Sequence, residues 1–343
     1  MSIIIRPICD KDLIHYVTFS QQANFGFTSL PRDQTLVTKQ FEHALDSFRK
    51  TVHTPGEEFY LFVAEDVNTQ QLLGISAIQA TTGGRDPLFF LRQEHYEVSS
   101  SLTDVVKKIP VLSPVSYVRS TTEMCSLYVS PEARKKGAGT LLSLSRFLFI
   151  KAFQTRFTAT IFAELRGIVE HAQCPFWDSV GRHFFDKSIE EVYEMLQYGR
   201  AFIAEFLPKY PIYQALLPKE VQAVIGMTAQ ETKGALGLLE SIGFKKTGEV
   251  DVFDAGPKLA CLSESVSIIR EAKKVQIAAI QDTDDEAEYS LVSNMRLDFR
   301  ACMAPIYQVS DAGVRISSTT AKLLNVGLAD TLLVYNPQHR DMK

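Results

Sequence analysis

Apolar positions along the chain change period several times, and each change predicts an element. Ile3 to Ile5 is a run of β-branched residues, which predicts a strand ended by Arg6-Pro7. Leu13, Ile14, Tyr16 and Val17 then recur at helical spacing, with Asp10 as the expected N-cap. Phe41, Ala44, Leu45 and Phe48 mark a second helix from about Leu36 to Lys50. Phe59 to Ala64 and Leu72 to Ala80 read as an antiparallel hairpin across the polar turn Glu65 to Gln70. Residues 83 to 115 are polar and irregular after Gly83-Gly84, and predict a loop reaching over a site.

The next stretch is the most informative. Leu127-Tyr128-Val129 has strand composition, Ser130-Pro131 ends it, and Gly137 and Gly139 bracket a basic loop. Thr140 then opens a helix to about Phe157, so apolar that it must pack inside a domain against a sheet. Thr158 to Ala163 form a further strand, and residues 172 to 228 an aromatic-rich, mainly helical insertion. A helix over about Glu231 to Ile242 is closed by Gly243, followed by strands at Val250 to Phe253 and Leu259 to Leu262. Beyond a helix at Ser265 to Ala272 come five short strand candidates, at Val275, Tyr289, Ala301, Val314 and Thr331. The pattern divides the chain into residues 1–270 and a small β-rich domain, 271–343.

Composition adds exclusions. A formal charge of −4 gives no global case for nucleic acid or an anionic membrane. No apolar run reaches membrane-spanning length, and the N-terminal run is too brief for a signal peptide. Five scattered cysteines, without Cys-x-x-Cys spacing, predict a reduced cytoplasmic protein. No metal-ligand spacing is visible.

A glycine loop between strand and helix aims backbone N–H groups and a helix N-terminus at one spot, which suits the phosphates of a nucleotide-bearing cofactor. Arg134, Lys135 and Lys136 add positive charge. In context, Arg134-Lys135-Lys136-Gly137-Ala138-Gly139 resembles the pyrophosphate loop of GNAT-type acyl-CoA N-acyltransferases, an α+β fold with a splayed central sheet. Further strings resemble the arginine N-succinyltransferases, among them Thr28-Ser29-Leu30-Pro31, Ala163-Glu164-Leu165-Arg166-Gly167, Pro175-Phe176-Trp177, His183-Phe184-Phe185 and Val250-Asp251-Val252-Phe253-Asp254. The resemblance covers nearly the full length and is densest from Thr28 to Cys261.

That resemblance implies succinyl transfer from succinyl-CoA to the α-amino group of arginine or a similar amino acid, without a metal. It implies that Leu127, Tyr128 and Val129 bind the pantetheine arm, and residues 134–140, including Thr140, the phosphates. Thr28, Ser29 and Asp86-Pro87 are expected to shape the substrate end. By the same resemblance Glu123 is the candidate base, since it sits on the strand where many GNAT enzymes place a catalytic Glu, or else it is a carboxylate paired with a nearby arginine; strand alternation puts it on one face with Cys125, Leu127 and Val129. Cys125 reads as packing rather than as a nucleophile. Arg166 and Arg182 either bind the succinyl carboxylate or form structural ion pairs. The aromatic insertion is expected to build core or subunit interface.

Two positions depart from the family pattern. The family's Val-Ile-Gly-x-x-His reads Val224-Ile225-Gly226-Met227-Thr228-Ala229, so its histidine is alanine, and Leu239 stands where many GNAT enzymes carry tyrosine. His183 is the histidine that a family-like string offers in its place, with packing as its alternative. Asp254-Ala255-Gly256-Pro257 replaces Asp-Gly-Gly-Pro. Two functional readings follow: an N-acyltransferase, or a non-catalytic acyl-CoA-binding or structural subunit paired with an active paralogous chain. A homo- or hetero-oligomer is expected in either case.

Overall fold

The computed structural model describes residues 3–23, 26, 28–83, 87–118, 121–134, 136–169, 173–283, 287–309 and 313–337, with Glu288 by its backbone alone. In chain order the elements are β1 (Ile3–Pro7), α1 (Leu13–Gln22), α2 (Gln34–Arg49), β2 (Phe59–Asp66), β3 (Leu72–Gln79), β4 (Leu88–Ser100), β5 (Val105–Tyr117), β6 (Thr122–Val129), α3 (Ala138–Ala152) and β7 (Thr160–Glu164). The insertion supplies α4 (Arg182–Phe185), α5 (Ile189–Leu196), α6 (Ala201–Phe206), β8 (Ile212–Tyr213) and α7 (Lys219–Val224). Then come α8 (Lys233–Ser241), β9 (Lys245–Asp251), β10 (Pro257–Leu262), α9 (Ser267–Glu271), β11 (Lys273–Ile280), β12 (Glu288–Asn294), β13 (Ala301–Gln308), β14 (Gly313–Ile316), α10 (Ser318–Leu324) and β15 (Thr331–Tyr335).

Helices flank one mixed sheet, an α+β arrangement, ordered β12-β15-β11-β14-β13-β1-β2-β3-β6-β7-β10-β9-β4-β5-β8 among the described residues. Helix α3 is buried from Leu141 to Ile150 without a break. One side lies on β2 and β3, and α9, β12 and β13 cover the rest. Its Phe149 meets Phe48, Tyr60, Phe62, Phe157 and Phe299 at centroid separations of 5.1 to 5.9 Å, mostly edge to face. An all-round apolar helix is therefore stable here because the C-terminal segment covers the side that the sheet does not.

That segment, β11 to β15 with α10, joins the sheet through β1, where Ile5 pairs with Ala301. It has its own cluster around Val292, Ile316 and Leu332. It also contributes Leu291, Phe299, Ala301, Leu333 and Tyr335 to the core around α3.

Two local expectations differ from the structure. Residues 88–117 are a long antiparallel hairpin, β4 and β5, paired from Leu88↔Tyr117 to Ser100↔Val105, where a loop was expected. Its distal half is exposed on both faces, so no alternation betrays it in the sequence. The N-cap position of α1 is Asp12 rather than Asp10, and its side chain makes no cap bond to the helix; the buried carboxylate accepts instead from Arg6 Nη1 (2.7 Å) and from the Cys9 N–H (2.9 Å). Gly243 does close α8, in the left-handed region at φ +111°, with the Phe244 N–H donating to Leu239 O at 3.0 Å.

Candidate active site

Strand β6 pairs with β3 along its length, but with its parallel neighbour β7 only at Thr122↔Ile161 and Glu123↔Phe162. Beyond Glu123 the two strands part, and a cavity of about 160 Å³ is lined from both, by residues 123–127 and 163–166. Backbone groups on the parting edges are free of each other there, so they can serve an extended ligand.

A bulge shapes the β6 side. The β3–β6 register shifts between Ile75 and Ala77, and Ser126 takes φ +52°. Its N–H donates to Ser29 Oγ (3.1 Å), and its own hydroxyl to Ser29 O (3.2 Å). The Thr28-Ser29 turn is thereby fastened to the strand and lines the cavity. The extra residue also overturns simple alternation. Met124, Leu127 and Val129 pack toward the α3 core, and Cys125 and Tyr128 toward the α1–α2 core, so Glu123 and Cys125 do not share a face with Leu127 and Val129.

Past β6, Gly137 is the N-cap of α3 at φ +82°, with open space where a Cβ would stand. As the first residues of the helix, Ala138, Gly139 and Thr140 have N–H groups with no preceding turn to donate to. Gly139 lies against Val129, and an added Cβ would be 3.3 Å from Val129 Cγ2, which ties the helix start to the strand end. Arg134 and Lys136 are exposed beside the loop; Lys135, like Asp86, lies outside the described residues.

Four carboxyls meet in the cavity: Glu123 from β6, Glu164 from β7, Asp251 from β9, and Asp254 from the turn before β10. Burial pushes Glu123 up; Arg200 and Lys258 counter it. Burial, then the Glu123 charge, push Glu164 to about 8, so it is mostly protonated at neutral pH. Asp251 is raised by burial, and Asp254 to about 7 by burial and Asp251. Asp254 is held in place by the N–H groups of Gly167 (2.9 Å) and Gly256 (2.8 Å). Such a group favours a cationic ligand and accepts protons at neutral pH. The carboxyls of Glu164, Asp251 and Asp254 were not singled out from the sequence, although each lies in a family-like string; nothing in their linear spacing brings them together.

Around them stand residues with other roles. Arg166 lines the cavity, pairs with Glu231 at 3.5 Å, and rests against Gly26, whose φ of +96° and missing Cβ leave room for the guanidinium. Ala229 is buried just outside the lining, its N–H donating to Arg166 O at 2.9 Å. Leu239 lines the cavity and has no ionisable proton to donate. Tyr193, expected to serve core or interface, also lines it, and burial holds its phenol well above the ordinary range, hence protonated. Trp177 is buried in the insertion's core, donating to Lys187 O at 3.1 Å. His183 and Arg182 are exposed on the short α4 and do not line the cavity, because that turn of helix presents only Phe185 inward. Among the described residues no cluster of three or more His, Cys, Asp or Glu could hold a metal ion.

Comparison with known proteins bears on this geometry. A family profile described as "Arginine N-succinyltransferase beta subunit" matches residues 3–268, and one described as its C-terminal domain matches residues 273–334. An arginine N-succinyltransferase of Yersinia pestis is 34% identical over 341 residues, covering 96% of each chain. One of Citrobacter koseri is 36% identical over 293 residues, 85% of each. The solved arginine/ornithine succinyltransferase subunit AI from Pseudomonas aeruginosa superposes with a TM-score of 0.87 at 28% identity, covering 98% of both chains.

Proposed function

Because the chain belongs to the arginine N-succinyltransferase family, we propose that it moves a succinyl group from succinyl-CoA to the α-amino group of arginine, on a GNAT-type fold. The observation that carries this reading is the parting of β6 from β7 over a buried acidic cavity, beside an open glycine loop at the start of α3. The helix N-terminus takes the diphosphate, and the freed edge of β6 takes the pantetheine arm. The carboxyls draw the cationic amino acid to the thioester.

Arginine arrives as an ammonium and must lose a proton before it attacks. Glu123, raised by burial, is the base assigned to that step. The amine nitrogen then bonds to the thioester carbon, the oxygen takes the charge, and the C–S bond breaks. The nitrogen gives up a second proton and the departing thiolate takes one, so one proton is released per turnover. Ala229 does not leave the cavity without a donor, since Glu164 and Tyr193 are both protonated there at neutral pH. A thiolate is moreover a good leaving group that water can protonate.

That the family is described as a beta subunit and the solved relative as subunit AI supports a chain that works within an assembly. Light scattering of the purified chain measures that directly. The catalytic test is thiol release from succinyl-CoA with arginine by the chain alone, expected to be lost in Glu123→Gln. CoA binding without turnover on any amino acid would instead indicate a non-catalytic subunit.

A further inference from the structure

Arg146, in the third turn of α3, is 3% exposed and lines the cavity. Its guanidinium donates to Ala77 O (3.0 Å), Cys125 O (3.2 Å), Ser143 Oγ (3.3 Å) and Ser143 O (3.4 Å). Every one of these acceptors is neutral. Four bonds also leave one of its five N–H hydrogens unused by them. No carboxylate lies within ion-pair distance among the described residues. Buried Arg6, by contrast, is matched by Asp12 and Glu65. Arg156 shares the neutral surroundings but does not line the cavity.

A buried cation without a counter-charge is costly, and an anionic ligand removes that cost. The four carboxyls do not supply it: the positive charges that act on them are Arg200, Lys258 and Arg166. The cavity therefore has an acidic region for a cation and, separately, a guanidinium on α3 that is hydrogen-bonded but has no counter-charge among the described residues. The same helix begins at Gly137, nine residues earlier, so about 13 Å of helix axis separates the two anion-seeking groups. Met124 and Leu127, apolar and in the lining, suit a short methylene chain between the thioester and a terminal anion.

We propose that Arg146 reads the free carboxylate of the acyl group and so selects a dicarboxylic acyl thioester over a neutral one. This rests on the acyltransferase reading of the site. Arg166 keeps an Nε unpartnered among the described residues in the same cavity, but Glu231 already supplies it with a counter-charge, and Arg182 is exposed on α4. The Ala77 and Cys125 carbonyls serve Arg146 as a mount that fixes the fork at the bulge.

Calorimetry with succinyl-CoA, butyryl-CoA and CoA tests the assignment without requiring turnover. The wild-type chain is expected to bind succinyl-CoA about tenfold to a hundredfold more tightly than butyryl-CoA, which lacks only the carboxylate. Arg146→Gln should abolish that gap while leaving CoA affinity unchanged. Equal affinities in the wild type, or a gap that survives in Arg146→Gln, would overturn the proposal. Should Arg146→Gln fail to fold, Arg146→Lys decides: a narrowed gap supports the assignment and an unchanged one refutes it. Failure to bind CoA at all would sink the acyltransferase reading instead.

Discussion

Gly167 and Gly256 cross with their backbones in contact. A Cβ on Gly256 would lie 2.1 Å from Leu165 O and 2.5 Å from Gly167 N, and one on Gly167 2.2 Å from Asp254 O. The crossing brings both N–H groups onto the Asp254 carboxylate. Gly256→Ala must push backbone against backbone and is expected to destabilise the chain by about 3 kcal/mol or more, read from urea melts. A variant as stable as the wild type would show that the two loops are free to separate.

Ser29→Ala removes the acceptor of the Ser126 N–H. Because Ser126 already holds a left-handed conformation, the expected loss is about 1 kcal/mol of stability. The Thr28-Ser29 turn lines the cavity, so the KM for the amine should rise several-fold. An unaltered KM would remove that turn from the substrate end.

Glu164 gives a pH signature. Its carboxyl goes from 4.5 to about 8 on folding, so across that window the folded chain holds more protons than the unfolded one. Stability from this group is fully present below pH 4.5 and is lost as pH rises toward 8. Glu164→Gln lacks the loss. Its Tm relative to wild type should therefore climb between pH 5 and 8, on the order of 5 °C. A Tm difference that stays flat with pH would show that Glu164 ionises as freely in the folded chain as in the unfolded one.

Gly137→Ala meets no steric obstacle, since nothing lies within 4 Å of its added Cβ. The cost is conformational, about 1 kcal/mol for a residue with a side chain at φ +82°. If the loop binds the diphosphate in this conformation, CoA affinity should fall about fivefold while the fold survives. Calorimetry and circular dichroism together separate the two effects.

The sequence by itself determined what depends on neighbours in the chain. The β6 composition, the Gly137-x-Gly139 loop, the α3 stripe and the Gly243 cap are local signals, and they sufficed to propose a phosphate-binding loop between strand and helix; the acyl-CoA site and Glu123 came from the resemblance. The quoted strings carried the family by resemblance. Three features were decided only in three dimensions. The bulge at Ser126 reverses which residues share a face, because one residue inserted against β3 changes parity without altering composition. The β4–β5 hairpin is stable through its cross-strand ladder although its far half is exposed, so burial leaves no period to read. Glu164, Asp251 and Asp254 become one site with Glu123 because β7, β10 and β9 follow β6 in that order across the sheet, and strand order is set by long-range pairing that no window of sequence contains.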